Sequence, residues 1–213
     1  MFVTGTSTEV GKTVVAAAIA RTLAAEGKMV AVFKPAVTGL YEDGEPDHAL
    51  LRRAAGSVQS DEEIAPYRYG PPASPHLAAA LAGEEIDPER LLAAARTAAA
   101  SADVLVCEGV GGLLVPLSGT YLIRDFAVDL DLPVVVAAPP GLGTINHTLL
   151  TVEAARAAGL TVELVVLTPW PESPSEIERS NRETIEALSG IRVATLPRID
   201  LDEPSGWPQL ALS

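Results

Sequence analysis

Short, continuous apolar runs recur along the chain, and between them apolar residues repeat at helical spacing. The runs Met1–Thr4, Met29–Phe33, Asp103–Cys107, Pro133–Ala138, Val162–Leu167 and Arg192–Leu196 predict strands, and lack of polar alternation within them is expected of strands covered on both faces. Helical spacing predicts helices over Lys12–Glu26 with Gly27 as the stop, Asp47–Ala55 closed by Gly56, His76–Ala82 and Pro88–Ala100. Further helices are expected over Thr120–Leu130 with Thr120 as the cap, Ile145–Ala158 and Ser175–Leu188. Ser57–Pro75, which contains Gly70-Pro-Pro-Ala-Ser-Pro75, reads as irregular, and the Pro- and Trp-containing tail as packing over an edge. Strand and helix alternate throughout, so the expected class is α/β: a doubly wound, mainly parallel sheet flanked by helices, one domain over residues 1–213.

In open sheets of this kind ligands bind beyond the carboxyl ends of the strands. The residues that follow the runs are therefore where chemistry is expected. After Thr4 comes Gly5-Thr-Ser-Thr-Glu-Val-Gly-Lys-Thr13; after Phe33 comes Lys34-Pro35; after Cys107 comes Glu108-Gly-Val-Gly-Gly112; after Ala138 comes Gly141-Leu-Gly-Thr144. Two lysines, a carboxylate and three glycine-rich segments fall on one rim.

The first segment has the parts of a phosphate-binding loop. Backbone N–H groups and a helix N-terminus face an anion, Lys12 reaches the β- and γ-phosphates, and the Thr13 hydroxyl suits Mg²⁺. The spacing is one residue longer than Gly-x-x-x-x-Gly-Lys-Thr, so either the loop carries an insertion or Thr6 opens it. With the strand before and the helix after, this is a P-loop NTPase-type arrangement. Lys34 is either a strand-end lysine reaching for solvent or a second cation offsetting charge between a phosphate and an acidic co-substrate. Glu108 caps a turn or holds a metal or its water, and Asp47 lies in the first turn of a helix, which the helix dipole alone would favour. At Gly141–Asn146 free N–H groups can cap a helix or bind a carboxylate with help from Thr144 or Asn146.

Composition narrows the partners. The formal net charge of −13 argues against general binding to nucleic acid or an anionic membrane. An anionic ligand then needs a local cationic pocket, and the chain has only three lysines, Lys12, Lys28 and Lys34. Cys107 is the only cysteine, so no intramolecular disulfide forms and a cytoplasmic setting is expected. His48, His76 and His147 share no metal-ligand spacing. The apolar stretch Val14–Ala25 lies behind Glu9 and Lys12 and contains Arg21, so it reads as the helix after the loop and not as a membrane or targeting segment.

Five segments taken together and in order, Thr4-Gly-Thr-Ser-Thr-Glu-Val-Gly-Lys-Thr13, Lys34-Pro-Ala-Val-Thr38, Ser74-Pro-His76, Glu108-Gly-Val-Gly-Gly112 and Leu142-Gly-Thr-Ile-Asn-His147, resemble the dethiobiotin synthetase family. The resemblance implies a homodimeric ligase that uses ATP and Mg²⁺ to build the ureido ring of dethiobiotin from 7,8-diaminopelargonate and CO₂ or bicarbonate. It implies a carbamate that attacks the γ-phosphate, then ring closure from the carbamic-phosphoric anhydride. By position, the nucleotide contacts would be Glu9, Val10, Gly11, Lys12, Thr13 and Val14, with Asp47, Glu108, Gly109, Val110 and Gly111. Lys12 and Lys34 would be catalytic, and Thr13, Asp47 and Glu108 would hold the metal. Thr8, Lys34 and Thr38 would hold the diamine and carbamate. Leu142, Gly143, Thr144, Ile145 and Asn146 would grip the substrate carboxylate from the neighbouring subunit. Thr168, Pro169, Pro197, Arg198 and Ile199 fall near the expected base pocket, where the asparagine that reads adenine in relatives has no counterpart. The rival class is the partition and septum-site switch ATPases, whose loop carries a further lysine where this chain has Ser7.

Overall fold

The computed structural model describes residues 1–41 and 44–212. Its core is a six-stranded sheet built from β1 (Phe2–Gly5), β2 (Val30–Phe33), β5 (Val104–Gly112), β8 (Val134–Ala138), β9 (Val162–Trp170) and β10 (Val193–Pro197), in the order β10-β9-β8-β1-β5-β2. Every pairing in it is parallel. The phosphate loop therefore leaves a central strand. Lys34 and Glu108 come from the strands on one side of it, and the tips of β8 and β9 stand on the other.

Alternate residues of each buried strand feed two cores, because successive side chains of a strand point to opposite faces. Val3, Val32, Val106 and Val135 pack under α1 (Lys12–Ala25) and α2 (Asp47–Ala55). Phe2, Phe33, Cys107 and Val136 pack with α5 (Pro88–Ala100), α6 (Ile123–Leu130), α7 (Thr144–Ala157) and α8 (Glu176–Ser189). Phe126 of α6 anchors the second core, its ring centroid 6.3 Å from that of Phe2 and 6.2 Å from that of Phe33. Residues Val15–Ala20 of α1 are buried on every side, as expected for a helix covered both by the sheet and by other elements.

The cover on the outer side is α2 and the tail. Trp207 and Leu210 are buried against the α1 core, the Leu210 N–H donates to Thr22 Oγ1 at 3.1 Å, and Arg21 donates to the Pro204 carbonyl at 3.3 Å. The tail thus lies over a helix and not merely along a sheet edge.

Other departures from the sequence reading have local causes. The irregular stretch holds α3 (Asp61–Ile64), started by a reciprocal Ser60–Glu63 capping box, and a two-residue strand β4 (Tyr67–Arg68) paired with β3 (Ala36–Val37). The helix α4 spans Pro75–Leu81, and β6 (Pro116–Ser118) and β7 (Tyr121–Leu122) form a hairpin before α6. That hairpin takes Thr120, so the expected Thr120 cap is wrong. Helix α6 starts at Ile123, and Asp125 accepts from the Leu122 N–H at 2.9 Å. Asp125→Ala is expected to cost about 1 kcal/mol, the typical value of a lost N-terminal cap, and Thr120→Ala under about 0.5 kcal/mol. Urea unfolding of the two variants checks the contrast.

Candidate active site at the strand tips

Gly5 is still held in the sheet, opposite Ala137 of β8 and Gly112 of β5. The loop proper therefore opens at Thr6, which settles the spacing left open above. A Cβ on Gly5 would lie 2.6 Å from Val10 Cγ2 and 2.8 Å from Lys12 Cγ, so the loop folds back directly over the strand end. Glu9 and Gly11 both take left-handed backbone (φ 57 and 84), which turns the chain into α1. Val10 is buried, Glu9 is exposed and Val14 half-buried. Lys12, itself buried, donates its ammonium to the Ser7 carbonyl at 2.9 Å, closing the loop on itself.

Beside the loop stands a charged cluster. The Lys34 ammonium is 2.6 Å from Glu108 Oε1 and 2.8 Å from Asp47 Oδ2. The Thr13 hydroxyl lies 2.8 Å from the same Glu108 oxygen and 3.1 Å from Asp47 Oδ1. Thus residues from α1, β5, α2 and the end of β2, up to 95 positions apart, meet at one point. Lys34 and Glu108 are fully enclosed, with 3% and 0% of their surfaces exposed.

Burial and pairing set the protonation tendencies. Burial pushes the Lys34 amine down, but Glu108 and Asp47 more than offset it, and its pKa ends above the usual lysine value. Burial pushes Asp47 up, yet Lys34 and Thr13 hold it below the usual carboxylate range. Burial raises Glu108; Lys34 opposes this and Asp47 adds to it. Burial lowers Lys12, with Glu108 opposing. Two acids and two lysines make this a charge-balanced site.

Glu108 Oε2 is buried without a hydrogen-bond partner among the described residues. An orphaned carboxylate oxygen beside a hydroxyl and a second carboxylate fits a hard divalent cation that takes oxygen ligands. No group of three or more His, Cys, Asp or Glu suited to a metal occurs among the described residues. A cation here would have two carboxylates and one hydroxyl and complete its shell with water and phosphate, as Mg²⁺ does.

A family model described as an AAA domain matches residues 1–205. The ATP-dependent dethiobiotin synthetase BioD of Rhodococcus erythropolis is 44% identical over 191 residues, which cover 89% of this chain and 83% of that protein. The chain belongs to the ATP-dependent dethiobiotin synthetase family. BioD of Anaeromyxobacter dehalogenans is 48% identical over 168 residues, covering 78% of this chain and 75% of that protein. Among solved structures, apo McdA from Cyanthece has a TM-score of 0.55 at 13% identity, over 95% of this chain and 89% of that one, a likeness of fold alone.

The remaining residues expected of a dethiobiotin synthetase spread around this centre. Gly109, Val110 and Gly111 belong to β5 and are not a loop after it. Without side chains at Gly109 and Gly111, the strand can run on beside the phosphate loop: a Cβ on Gly109 would meet Phe2 and Ile123, and one on Gly111 would meet Val115 at 2.8 Å and the Thr8 methyl at 3.8 Å. Thr8 is exposed on the loop, and Thr38 is half-buried just past β3.

Across the loop, β9 continues through Thr168 and Pro169 to Trp170, joined by a cis Thr168–Pro169 bond, and Trp170 pairs with Pro197 of β10. Thr168 is buried against Gly11, while Pro169, Pro197 and Arg198 are exposed and Ile199 half-buried. This ridge flanks the loop on the side away from Lys34.

Leu142–Asn146 stands at the tip of β8. Leu142 is 97% exposed, Gly143 has φ 92, and Ile145 and Asn146 follow on the first turn of α7. Thr144 is buried, its N–H donates to the Gly141 carbonyl at 3.2 Å, and its hydroxyl lies 3.4 Å from that of Thr148. Among the described residues no hydrogen bond joins this segment to the Lys34 cluster.

Sequence reasoning missed Asn181. From α8 its amide donates to the carbonyls of Pro140 and Gly141 at 2.9 and 3.1 Å, fixing the loop that carries Leu142. A signal existed: Asn181 lies in one helical stripe with Ile185 and Ser189, all buried, so it was a polar residue on a core-facing line.

Proposed function

We propose that this chain closes the ureido ring of dethiobiotin, joining 7,8-diaminopelargonate and CO₂ at the cost of ATP and releasing ADP and phosphate. The observation that carries the reading is the meeting of Lys34, Asp47, Glu108 and Thr13 beside the Lys12 loop, within a chain 44% identical to a dethiobiotin synthetase. One domain over residues 1–213 holds these parts.

The loop from Thr6 to Thr13 cradles the triphosphate, its N–H groups and the N-terminus of α1 facing the anion. Lys12 leaves the Ser7 carbonyl for the β- and γ-phosphates. Thr13, Asp47 and Glu108 hold Mg²⁺, which neutralises charge on those phosphates. Lys34 faces the same point from the end of β2 and offsets the charge that builds as a carbamate oxygen attacks the γ-phosphorus. That attack transfers the phosphoryl group and yields a carbamic-phosphoric anhydride. The second amine then attacks the carbonyl carbon and phosphate leaves. Catalysis of this kind rests on positioning and charge neutralisation, and no residue needs to become covalently modified.

Thr8 and Thr38 offer hydroxyls to the diamine and carbamate. The Thr168–Trp170 and Pro197–Ile199 ridge receives the base. The exposed Leu142–Asn146 segment serves the substrate carboxylate of a second copy, so the working form is a homodimer. Among the described residues no helix is long and apolar enough to cross a membrane, and the reading adds a cytoplasmic setting.

Purified protein given Mg²⁺, ATP, bicarbonate and the diamine is expected to release phosphate and form dethiobiotin in equal amounts. Phosphate release that ignores the diamine would remove the ligase reading and favour a nucleotide-switch ATPase.

A further inference from the structure

Two carboxylates that would hold a divalent cation are already paired with a cation that belongs to the protein. The Lys34 ammonium touches Glu108 Oε1 at 2.6 Å and Asp47 Oδ2 at 2.8 Å, and the Thr13 hydroxyl lies 2.8 Å from that same Glu108 oxygen and 3.1 Å from Asp47 Oδ1. Glu108 is fully buried, and a buried carboxylate beside another requires a compensating charge. Lys34 supplies it, from a strand end whose next residue is proline.

We propose that Lys34 stands in for the divalent cation in the nucleotide-free protein, holding Asp47 and Glu108 in place and competing with the bare metal for them. The proposal rests on the ligand set given under the proposed function. Charge counting supports it: Asp47 and Glu108 are balanced by Lys34 and Lys12, so a bare divalent ion meets a site that is already neutral. It would have to displace an enclosed ammonium whose ion pairs among the described residues are with these two carboxylates alone. A metal–nucleotide complex differs, because its phosphates give both lysines new partners as the metal takes the carboxylates. Metal and nucleotide therefore enter together. Lys34 acts twice, first as a positioning residue for the metal ligands and then against the phosphate. Glu108 Oε2 has no hydrogen-bond partner among the described residues and is left for the metal.

Mn²⁺ titration followed by the electron paramagnetic resonance of the free ion tests this on the nucleotide-free chain. Wild type is expected to bind weakly, and Lys34→Met at least about tenfold more tightly, a difference well within what one removed competing charge produces. Lys34→Met combined with Glu108→Gln should lose that gain, and Lys34→Arg should restore exclusion, which a merely structural lysine would not predict. Equal Mn²⁺ affinity in folded Lys34→Met and wild type overturns the proposal, as does tight one-to-one binding by wild type.

A second measurement guards against a variant that fails to fold. The chain has only three lysines, so ¹⁵N-lysine labelling gives three ammonium groups, and the Lys34 resonance is the one that Lys34→Met removes. Mn²⁺ by itself should leave its resonance sharp, and Mn²⁺ with a non-hydrolysable ATP analogue should broaden it. Broadening by Mn²⁺ alone overturns the stand-in role. Dethiobiotin formation by wild type is scored separately: a chain that makes dethiobiotin but fails the Mn²⁺ tests loses only this proposal, and one that passes them without making dethiobiotin loses only the ligase reading.

Discussion

Lys34→Met is expected to lower diamine-dependent phosphate release about a thousandfold, since removing one preorganised charge from a phosphoryl-transfer site costs roughly that much in turnover. Nucleotide affinity should change by less than about tenfold, because the proposed ground-state contacts come from the loop N–H groups, the N-terminus of α1 and Lys12. The split matters, since an interaction made chiefly as charge develops shows in kcat and not in binding. Lys12→Ala should give the opposite balance, with nucleotide affinity falling first. Equilibrium binding of a fluorescent ATP analogue beside steady-state phosphate release measures both quantities. A Lys34→Met enzyme with wild-type turnover would remove the role given to this residue. Deleting Lys34 also strands Glu108 and Asp47, and breaking a buried pair costs about 3–5 kcal/mol of stability, so the assays belong well below the variant's melting temperature. Mg²⁺ should recover part of that loss if, as proposed, it takes the same two carboxylates.

The sequence shows which residues follow each strand but not which strands are neighbours. The six runs, their parallel pairing and the loop after Thr4 were legible because buried strands lack polar positions and because Gly-Lys-Thr before an alanine-rich helix is specific. The meeting of Lys34 with Glu108 depends on β2 lying beside β5, and β5 beside β1, an order fixed by long-range packing that no local pattern reveals. Asp47 shows the limit most clearly. Its place in a helix first turn is explained by the dipole alone, and only the packing of α2 over α1 brings it to Thr13 and Lys34. Glycines misled in one place. Glu108–Gly112 looked like a strand-end loop, yet an added Cβ would stand 2.8 Å from Val115 at Gly111 and 3.1 Å from Ile123 at Gly109, so absent side chains let the strand continue where bulkier residues would have forced it away. The strands of the β6–β7 hairpin are three and two residues long and the tail holds only a three-residue turn of helix, too short for a periodic signal.

Gly11→Val is expected to weaken nucleotide binding by more than about a hundredfold while leaving the far-ultraviolet circular dichroism unchanged, and two independent costs add to give that figure. Gly11 has φ 84 and ψ 21 as the residue before α1. A left-handed backbone costs an ordinary residue about 1–2 kcal/mol, and more for a β-branched one. The second cost is steric, since a Cβ at Gly11 would stand 2.7 Å from the methyl carbon of Thr168, itself buried at the tip of β9. The loop would have to lift away from β9, moving the N–H groups of Gly11 and Lys12 off the phosphates proposed to lie there. Separating the two costs gives the sharper test. Gly11→Ala keeps the strain and the collision, and pairing it with Thr168→Ser removes the methyl and leaves only the strain. The double variant should therefore bind nucleotide more tightly than Gly11→Ala alone, with Thr168→Ser by itself close to wild type. If the double variant binds no better than the single one, Thr168 is a bystander and the loop is held only from the side of β5. If it does bind better, β9 is part of the phosphate site although none of its side chains needs to touch a phosphate.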